Sequence, residues 1–316
     1  MANESQLSAQ DILSRLSTTI NSVMRGHGNT VRNLLAGFAA EGHILLEDYP
    51  GTGKTTLAKT LAKAIDTDYK RVQFTPDLLP SDIVGLSIFD QKNTKFELHK
   101  GPIFTNILLI DEINRASPRT QSALLESMAE KQVSIDGTLH KLDDLFFVIA
   151  TQNPVESHGT YPLPEAQMDR FAMQLHLGYV SSDDEVGVLI DQQKSHPIDS
   201  VEACVTIDDI LYLRQQVHGV HISDELMHYV VKLVQQTRNI ENVLLGASPR
   251  ASLCLMHIAK AIALFDNRDF VIPEDIIEVA VPVIAHRLIL DPQARFSGQT
   301  ARKIVEEVLS RVEVPG

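Results

Sequence analysis

Residues 43–56 read H-I-L-L-E-D-Y-P-G-T-G-K-T-T, and the order of residue types in this stretch decides how the rest of the chain is arranged. Ile44 to Leu46 is an apolar run of strand length, Pro50-Gly51-Thr52-Gly53 is a turn, and Lys54, Thr55 and Thr56 open a helix-forming segment. Glycines let the backbone fold tightly enough to aim several N–H groups at one point, and the positive end of the following helix adds to that point. The stretch therefore reads as a phosphate-binding loop in which Lys54 reaches the β- and γ-phosphates and the Thr55 hydroxyl sits on a magnesium ion. Gly53, Lys54 and Thr55 fit G-x-x-x-x-G-K-[ST], whereas Asp48 occupies the place of the first glycine. The competing reading is a plain glycine-rich turn with a surface lysine.

Upstream, Leu7, Ile12, Leu16 and Ile20 recur at helical spacing over residues 6–22, and Arg25-Gly26-His27-Gly28 ends that helix in a turn. A second helix from about Asn29 to Ala40 delivers the chain to Ile44. Downstream, Leu57, Leu61, Ala64 and Ile65 continue one apolar stripe on the helix opened by Thr55. Short apolar runs follow at 71–74, 107–110, 145–150 and 172–177, and the two richest are nearly continuous, as suits strands buried on both faces of a parallel sheet. Residues 82–102 and 131–142 break this alternation and read as hairpins, the second turning at Asp136-Gly137. After Gly178 the pattern is helical only. Thr206, Ser223 and Ser248 stand as N-caps, and Pro249 and Pro273 suit first helical positions. A boundary in the polar stretch 181–200 divides residues 1–180 from a second domain, 181–316.

Composition bounds the function. At 316 residues, with 44% hydrophobic and 22% charged residues, the chain is ample for two soluble domains. Gln6, Gln10, Asp11 and Arg15 interrupt the first twenty residues, so neither a signal peptide nor a membrane span is expected and the reading is cytoplasmic. Cys204 and Cys254 are too few for a disulfide framework or metal site and read as buried thiols. A formal charge of −13 argues against a broad nucleic-acid-binding face.

The chemistry gathers at strand ends. Residues 106–112, N-I-L-L-I-D-E, deliver two adjacent carboxylates. Consecutive strand side chains point apart, so Asp111 and Glu112 can take different jobs, one at magnesium and one polarising an attacking water. Residues 145–154, L-F-F-V-I-A-T-Q-N-P, end another buried strand at Asn153, which can donate to phosphate or water without adding charge. Arg170, in E-A-Q-M-D-R-F, and Arg250, in G-A-S-P-R, are cationic candidates for a phosphate in flight. With Ser248 as cap, Arg250 falls in a first helical turn, where the dipole repels it. Arg115 and Arg119 read either as contacts to a neighbouring subunit's nucleotide or, preferentially, as intersubunit ion pairs.

With these residues assembled, the chain resembles the MoxR family of AAA+ ATPases over nearly its whole length. The stretches L-L-E-D-Y-P-G-T-G-K-T, I-L-L-I-D-E-I-N-R-A-S-P-R-T-Q-S-A-L-L-E-S-M and F-F-V-I-A-T-Q-N-P carry the likeness, and G-T-Y-P-L-P-E-A-Q-M-D-R-F is the most family-specific. The resemblance implies an α/β fold: an αβα parallel-sheet AAA+ nucleotide domain followed by an all-α lid. It also implies assembly as a ring, commonly a hexamer, with ATP and magnesium at subunit interfaces. By matching position, Lys54 and Thr55 look like the Walker A pair and Asp111 and Glu112 like the Walker B pair. Asn153 looks like sensor 1, Arg250 like sensor 2, and Arg170 like the arginine finger given to the adjacent subunit. Pro50, Gly51, Thr52, Gly53, Thr56 and Gly26 complete the expected nucleotide-binding set, with Thr55 and Asp111 at the metal. The hairpins match the helix-2 insert and pre-sensor-1 hairpin. Asp48 departs from the first Walker glycine, with little loss expected, and His27 stands where Gln is expected beside the adenine.

The reading is an ATP-hydrolysing, chaperone-like ring motor acting on a partner protein. Family members often work with a von Willebrand factor A (VWA) domain partner or insert metal cofactors. Three alternatives differ in job: a DNA-translocating helicase-type motor, a nucleotide-gated scaffold that does not hydrolyse, and a chelatase-type subunit.

Overall fold

The apolar runs become parallel strands because they are buried on both faces. A computed structural model describes residues 7–49, 51–154, 160–193 and 196–315. In chain order, α1 (Ala9–Val23) and α2 (Gly28–Ala39) precede β1 (Ile44–Glu47), and α3 (Lys54–Ile65) leads to β2 (Tyr69–Gln73). Next come α4 (Pro80–Val84), β3 (Gly85–Asp90), β4 (Lys95–Lys100), β5 (Ile107–Asp111) and α5 (Pro118–Glu130). They are followed by β6 (Gln132–Ile135), β7 (Thr138–Lys141), β8 (Phe147–Gln152), α6 (Glu165–Met168) and β9 (Met173–Leu175). The main sheet has the order β2-β5-β8-β1-β9, every neighbouring pair parallel.

Alternate residues of the continuous runs serve opposite faces. Ile44, Leu46, Ile107, Leu109, Phe147 and Ile149 join one core with α1, α2 and α3; Leu45, Leu108, Ile110, Phe146, Val148 and Ala150 join another with α5 and the second hairpin. The first core continues without interruption into the C-terminal helices, reaching Val308 and Val312. His43, at the head of β1, is fully enclosed: its Nδ1 accepts the Val148 N–H at 3.0 Å and its Nε2 faces the Met128 carbonyl at 3.1 Å. That arrangement fixes a neutral ring protonated on Nε2, and burial lowers its pKa to about 4.

Both expected hairpins form. β3 pairs antiparallel with β4, and β6 with β7, where Asp136 and Gly137 take φ of 49° and 79°. Two successive positive φ values are what a two-residue turn matching strand twist requires.

The C-terminal part comprises α7 (Ser182–Asp191), α8 (Ile207–Gly219), α9 (Asp224–Gln236), β10 (Val243–Leu245), α10 (Pro249–Phe265), α11 (Pro273–Ile284), β11 (Ile289–Leu290), α12 (Pro292–Phe296) and α13 (Ala301–Arg311). Thr206, Ser223 and Ser248 accept N–H bonds as caps, and Pro249 and Pro273 open α10 and α11. Two details differ from the sequence reading. The polar stretch after residue 180 holds a helix, capped by Ser181 with Asp183, Asp184 and Glu185 favourably placed in its first turn. The helices are also joined by a short antiparallel pair, β10–β11, whose strands are too brief to carry a readable alternation. Cys204 and Cys254 are free and half-buried, not enclosed.

Candidate nucleotide site

Three neighbouring strands, β5, β8 and β1, end on the same side of the sheet, and the loop 48–53 follows β1 there. In open α/β sheets ligands bind in the crevice beyond these carboxyl ends. Gly51 and Gly53 adopt φ of 85° and 92°, and Gly53 caps α3. Two cavities meet at this loop, sharing Gly51, Gly53 and Thr56. One, of about 370 Å³, is polar and is lined also by Lys54, Thr55, Arg71, Gln73, Asp111, Glu112, Thr151 and Asn153. The other, of about 360 Å³, brings Val23, Met24 and His27 against Val180 and Val188. A charged lobe joined to a mostly apolar one suits a ligand with phosphates at one end and a flat heterocycle at the other.

Each acidic group is held by a neighbour that the sequence did not announce. The Arg71 Nε donates to Asp111 Oδ2 at 2.5 Å, and the Thr151 hydroxyl lies 3.4 Å from Oδ1. Glu112 sits at φ 57°, in the left-handed region. Its N–H donates to Thr151 Oγ1 at 2.9 Å, and its Oε2 accepts from Gln73 Nε2 at 2.6 Å and Arg115 Nη1 at 3.0 Å. Arg115, expected at a subunit interface, thus pairs with Glu112 of its own chain across one helical turn. Arg119 is exposed. Asn153 is buried just past β8 and lines the polar cavity.

Lys54 donates from Nζ to the Asp48 and Tyr49 carbonyls at 3.0 and 2.7 Å. Burial lowers its pKa, opposed by the charges of Asp48, Asp111 and Glu112. Thr52 donates to the Tyr49 carbonyl and lines the apolar lobe. Pro50 lies outside the described residues. Gly26, at φ 75°, does not itself line the cavity. It turns the chain so that Arg25 and His27 do, and a Cβ there would come within 2.9 Å of Val180. Arg25 closes that lobe against α7 by pairing with Asp191 at 2.5 Å. Burial lowers the pKa of His27.

Asp48, in the place of the first Walker glycine, has a structural job of its own. Only 4% exposed, it accepts the Tyr49 N–H on Oδ1 at 2.9 Å, and the Leu177 and Gly178 N–H groups on Oδ2 at 2.6 and 2.8 Å. It fastens the loop to the segment leading into α7, a job glycine cannot do. Asp48→Ala leaves buried N–H groups without acceptors, so the chain is expected to lose about 2–4 kcal/mol of stability, read as a lowered thermal midpoint with loosened nucleotide binding. An unchanged midpoint contradicts this role.

Arg170 and Arg250 line neither cavity. Arg170 follows α6 and donates from Nη1 to the Leu125 carbonyl at 2.6 Å. Arg250 is exposed in the first turn of α10. Asp169 links their surroundings, accepting from the Ser248 hydroxyl and from Arg287 Nε, each at 2.8 Å. Arg287 is enclosed and also donates to the Phe171 carbonyl at 2.6 Å, tying the helical part to the end of the sheet domain.

This combination of a parallel sheet, glycine loop and strand-end acids defines a P-loop nucleotide-binding protein of the AAA class. The family model for "ATPase family associated with various cellular activities (AAA)" matches residues 43–173, and that for the AAA lid domain matches 235–308. The uncharacterized protein YeaC of Bacillus subtilis is 51% identical over 296 residues, 94% of this chain and 92% of its own. Chaperone MoxR1 of Mycobacterium tuberculosis is 38% identical over 312 residues, covering 96% of this chain and 82% of its own. A solved structure from Cytophaga hutchinsonii, described as a candidate ATPase, superposes with a TM-score of 0.89 at 43% identity, over 98% of this chain and 96% of that one. The chain belongs to the MoxR family of AAA+ ATPases.

Proposed function

We propose that this chain is the ATP-hydrolysing subunit of a homo-oligomeric ring, a hexamer as in the family, that remodels or activates a protein client. The observation that supports hydrolysis best is convergence: Lys54 and Thr55, Asp111 and Glu112, and Asn153 come from three separate segments and line one cavity. In this reading Lys54 leaves the loop carbonyls for the β- and γ-phosphates, the N–H groups of residues 51–56 cradle them, and Asn153 orients the attacking water. Glu112 takes the water's proton. Its Oε2 is held by Gln73 and Arg115, which leaves Oε1 for the water. Arg170 and Arg250, lying outside the chain's own cavity, are available to a neighbouring subunit.

Thr55 and Asp111 fit magnesium. Both are hard oxygen donors in the same cavity, and magnesium in nucleotide sites takes only one or two protein ligands beside phosphate and water. When bound, it neutralises phosphate charge. Among the described residues no group of three or more His, Cys, Asp or Glu could hold a metal, and no helix is long and apolar enough to cross a membrane.

The family resemblance is what supports a cytoplasmic site of action and a VWA-domain partner or metal-cofactor insertion as parts of this proposal. Nucleic acid is not the proposed partner: a chain with a formal charge of −13 lacks the broad basic face that a nucleic-acid backbone requires. The wild-type chain is expected to release phosphate from ATP with magnesium and to stop in excess chelator. ATP binding without phosphate release would replace the motor with a scaffold, and strong stimulation by DNA at moderate salt would favour a helicase.

A further inference from the structure

β2 is the edge strand beside β5, and its register places Gln73 opposite Asp111 and Arg71 opposite Leu109. Residues two apart share a strand face. Arg71 and Gln73 accordingly reach the same cavity and take one acid each, Arg71 on Asp111 and Gln73 on Glu112. The two ends of the Arg71–Asp111 pair differ: the Asp111 side chain is 9% exposed, whereas that of Arg71 is 50% exposed. Among the described residues Asp111 is the one hydrogen-bonding partner of the guanidinium, so the four Nη hydrogens are uncommitted.

We infer that Arg71 is a phosphate-binding residue that recognises the terminal phosphate of a nucleoside triphosphate from within its own subunit, with Asp111 as its resting partner. This inference rests on the nucleotide-site reading above. Strand order supplies the direction. The loop that grips the phosphate chain follows β1, and β5 and β8 stand between β1 and β2. Arg71 thus approaches the cavity from the side opposite the loop, where the far end of the phosphate chain must lie.

Electrostatics supply the exchange. Asp111 is also the magnesium-binding acid, and a guanidinium beside a divalent cation on one carboxylate is repelled by it. A phosphate oxygen offers the displaced guanidinium a forked acceptor equal to the carboxylate that it leaves. A diphosphate ends short of that position, so the contact discriminates between the two nucleotides.

The test is equilibrium binding of a non-hydrolysable ATP analogue and of ADP to the full chain in magnesium, comparing wild type with Arg71→Ala and Arg71→Gln. Loss of a charge-assisted contact predicts at least about tenfold weaker binding of the triphosphate analogue, with ADP changed by less than about threefold. Equal losses for both ligands, or none for either, overturn the inference. Arg71→Lys keeps the charge without the fork and is expected to retain part of the selectivity, which separates a ligand contact from a folding defect. A wild-type chain that binds neither nucleotide would overturn the nucleotide site itself, whereas wild-type binding with indifferent Arg71 variants removes Arg71 alone.

Discussion

Arg170→Ala is expected to lower ATP turnover by about 10³- to 10⁵-fold while leaving ATP binding nearly unchanged. That loss equals roughly 4–7 kcal/mol of barrier, far more than the arginine contributes to its own fold. Among the described residues its side chain makes one hydrogen bond, from Nη1 to the Leu125 carbonyl, so removing the side chain should cost no more than about 1–3 kcal/mol of stability. Arg170 lines neither cavity of its own subunit, which is why binding should survive. Arg170→Lys should recover little, because an ammonium does not reproduce a planar fork on phosphate. Near-normal turnover in the alanine variant would remove Arg170 from the mechanism.

Glu112→Gln is expected to bind ATP and stall, with turnover down by about 10²- to 10⁴-fold. The substitution keeps an acceptor oxygen for Gln73 and Arg115, which both donate to Oε2, so the left-handed backbone at residue 112 and the cavity shape should persist. Only the basicity is lost. Steady hydrolysis by this variant would show that another group takes the proton. The stalled variant is also a trap for clients: a pull-down with it in ATP should retain the protein on which the ring acts.

The parallel sheet was legible because strands buried on both faces are written as unbroken apolar runs, and residues 107–110 and 147–150 each supply both cores in alternation. The hairpin at Asp136-Gly137 was legible because few residue pairs tolerate two positive φ values. Helix caps were legible because a Ser or Thr oxygen at the cap accepts a backbone N–H of the first turn. What stayed hidden is everything set by lateral register. Arg71 and Gln73 lie in a half-exposed strand whose polar residues resemble a solvated edge; only the pairing of β2 with β5 brings them to Asp111 and Glu112. Asp48 reads as a flaw in a motif until the chain returns 129 and 130 residues later to offer it two N–H groups. Arg287, far along the chain, gives no local sign that it will be enclosed against Asp169.

Those hidden contacts share a consequence. Asp48 joins the phosphate loop to the segment entering α7, and Arg287 with Asp169 joins the helical part to the turn carrying Arg170. Movement of the helical part relative to the sheet therefore bears on the loop and on the proposed finger together. In the proposed ring, that link would couple one nucleotide site to the next.

Each hydrolytic site is proposed to be composite, with Glu112 from one subunit and Arg170 from its neighbour. Mixing Glu112→Gln subunits with Arg170→Ala subunits and measuring phosphate release tests it most directly. The mixture is predicted to hydrolyse ATP although neither variant does so alone, because an Arg170→Ala subunit keeps Glu112 and receives an intact arginine from a Glu112→Gln neighbour. A mixture as inactive as its parts, with subunit exchange demonstrated, would contradict the shared site.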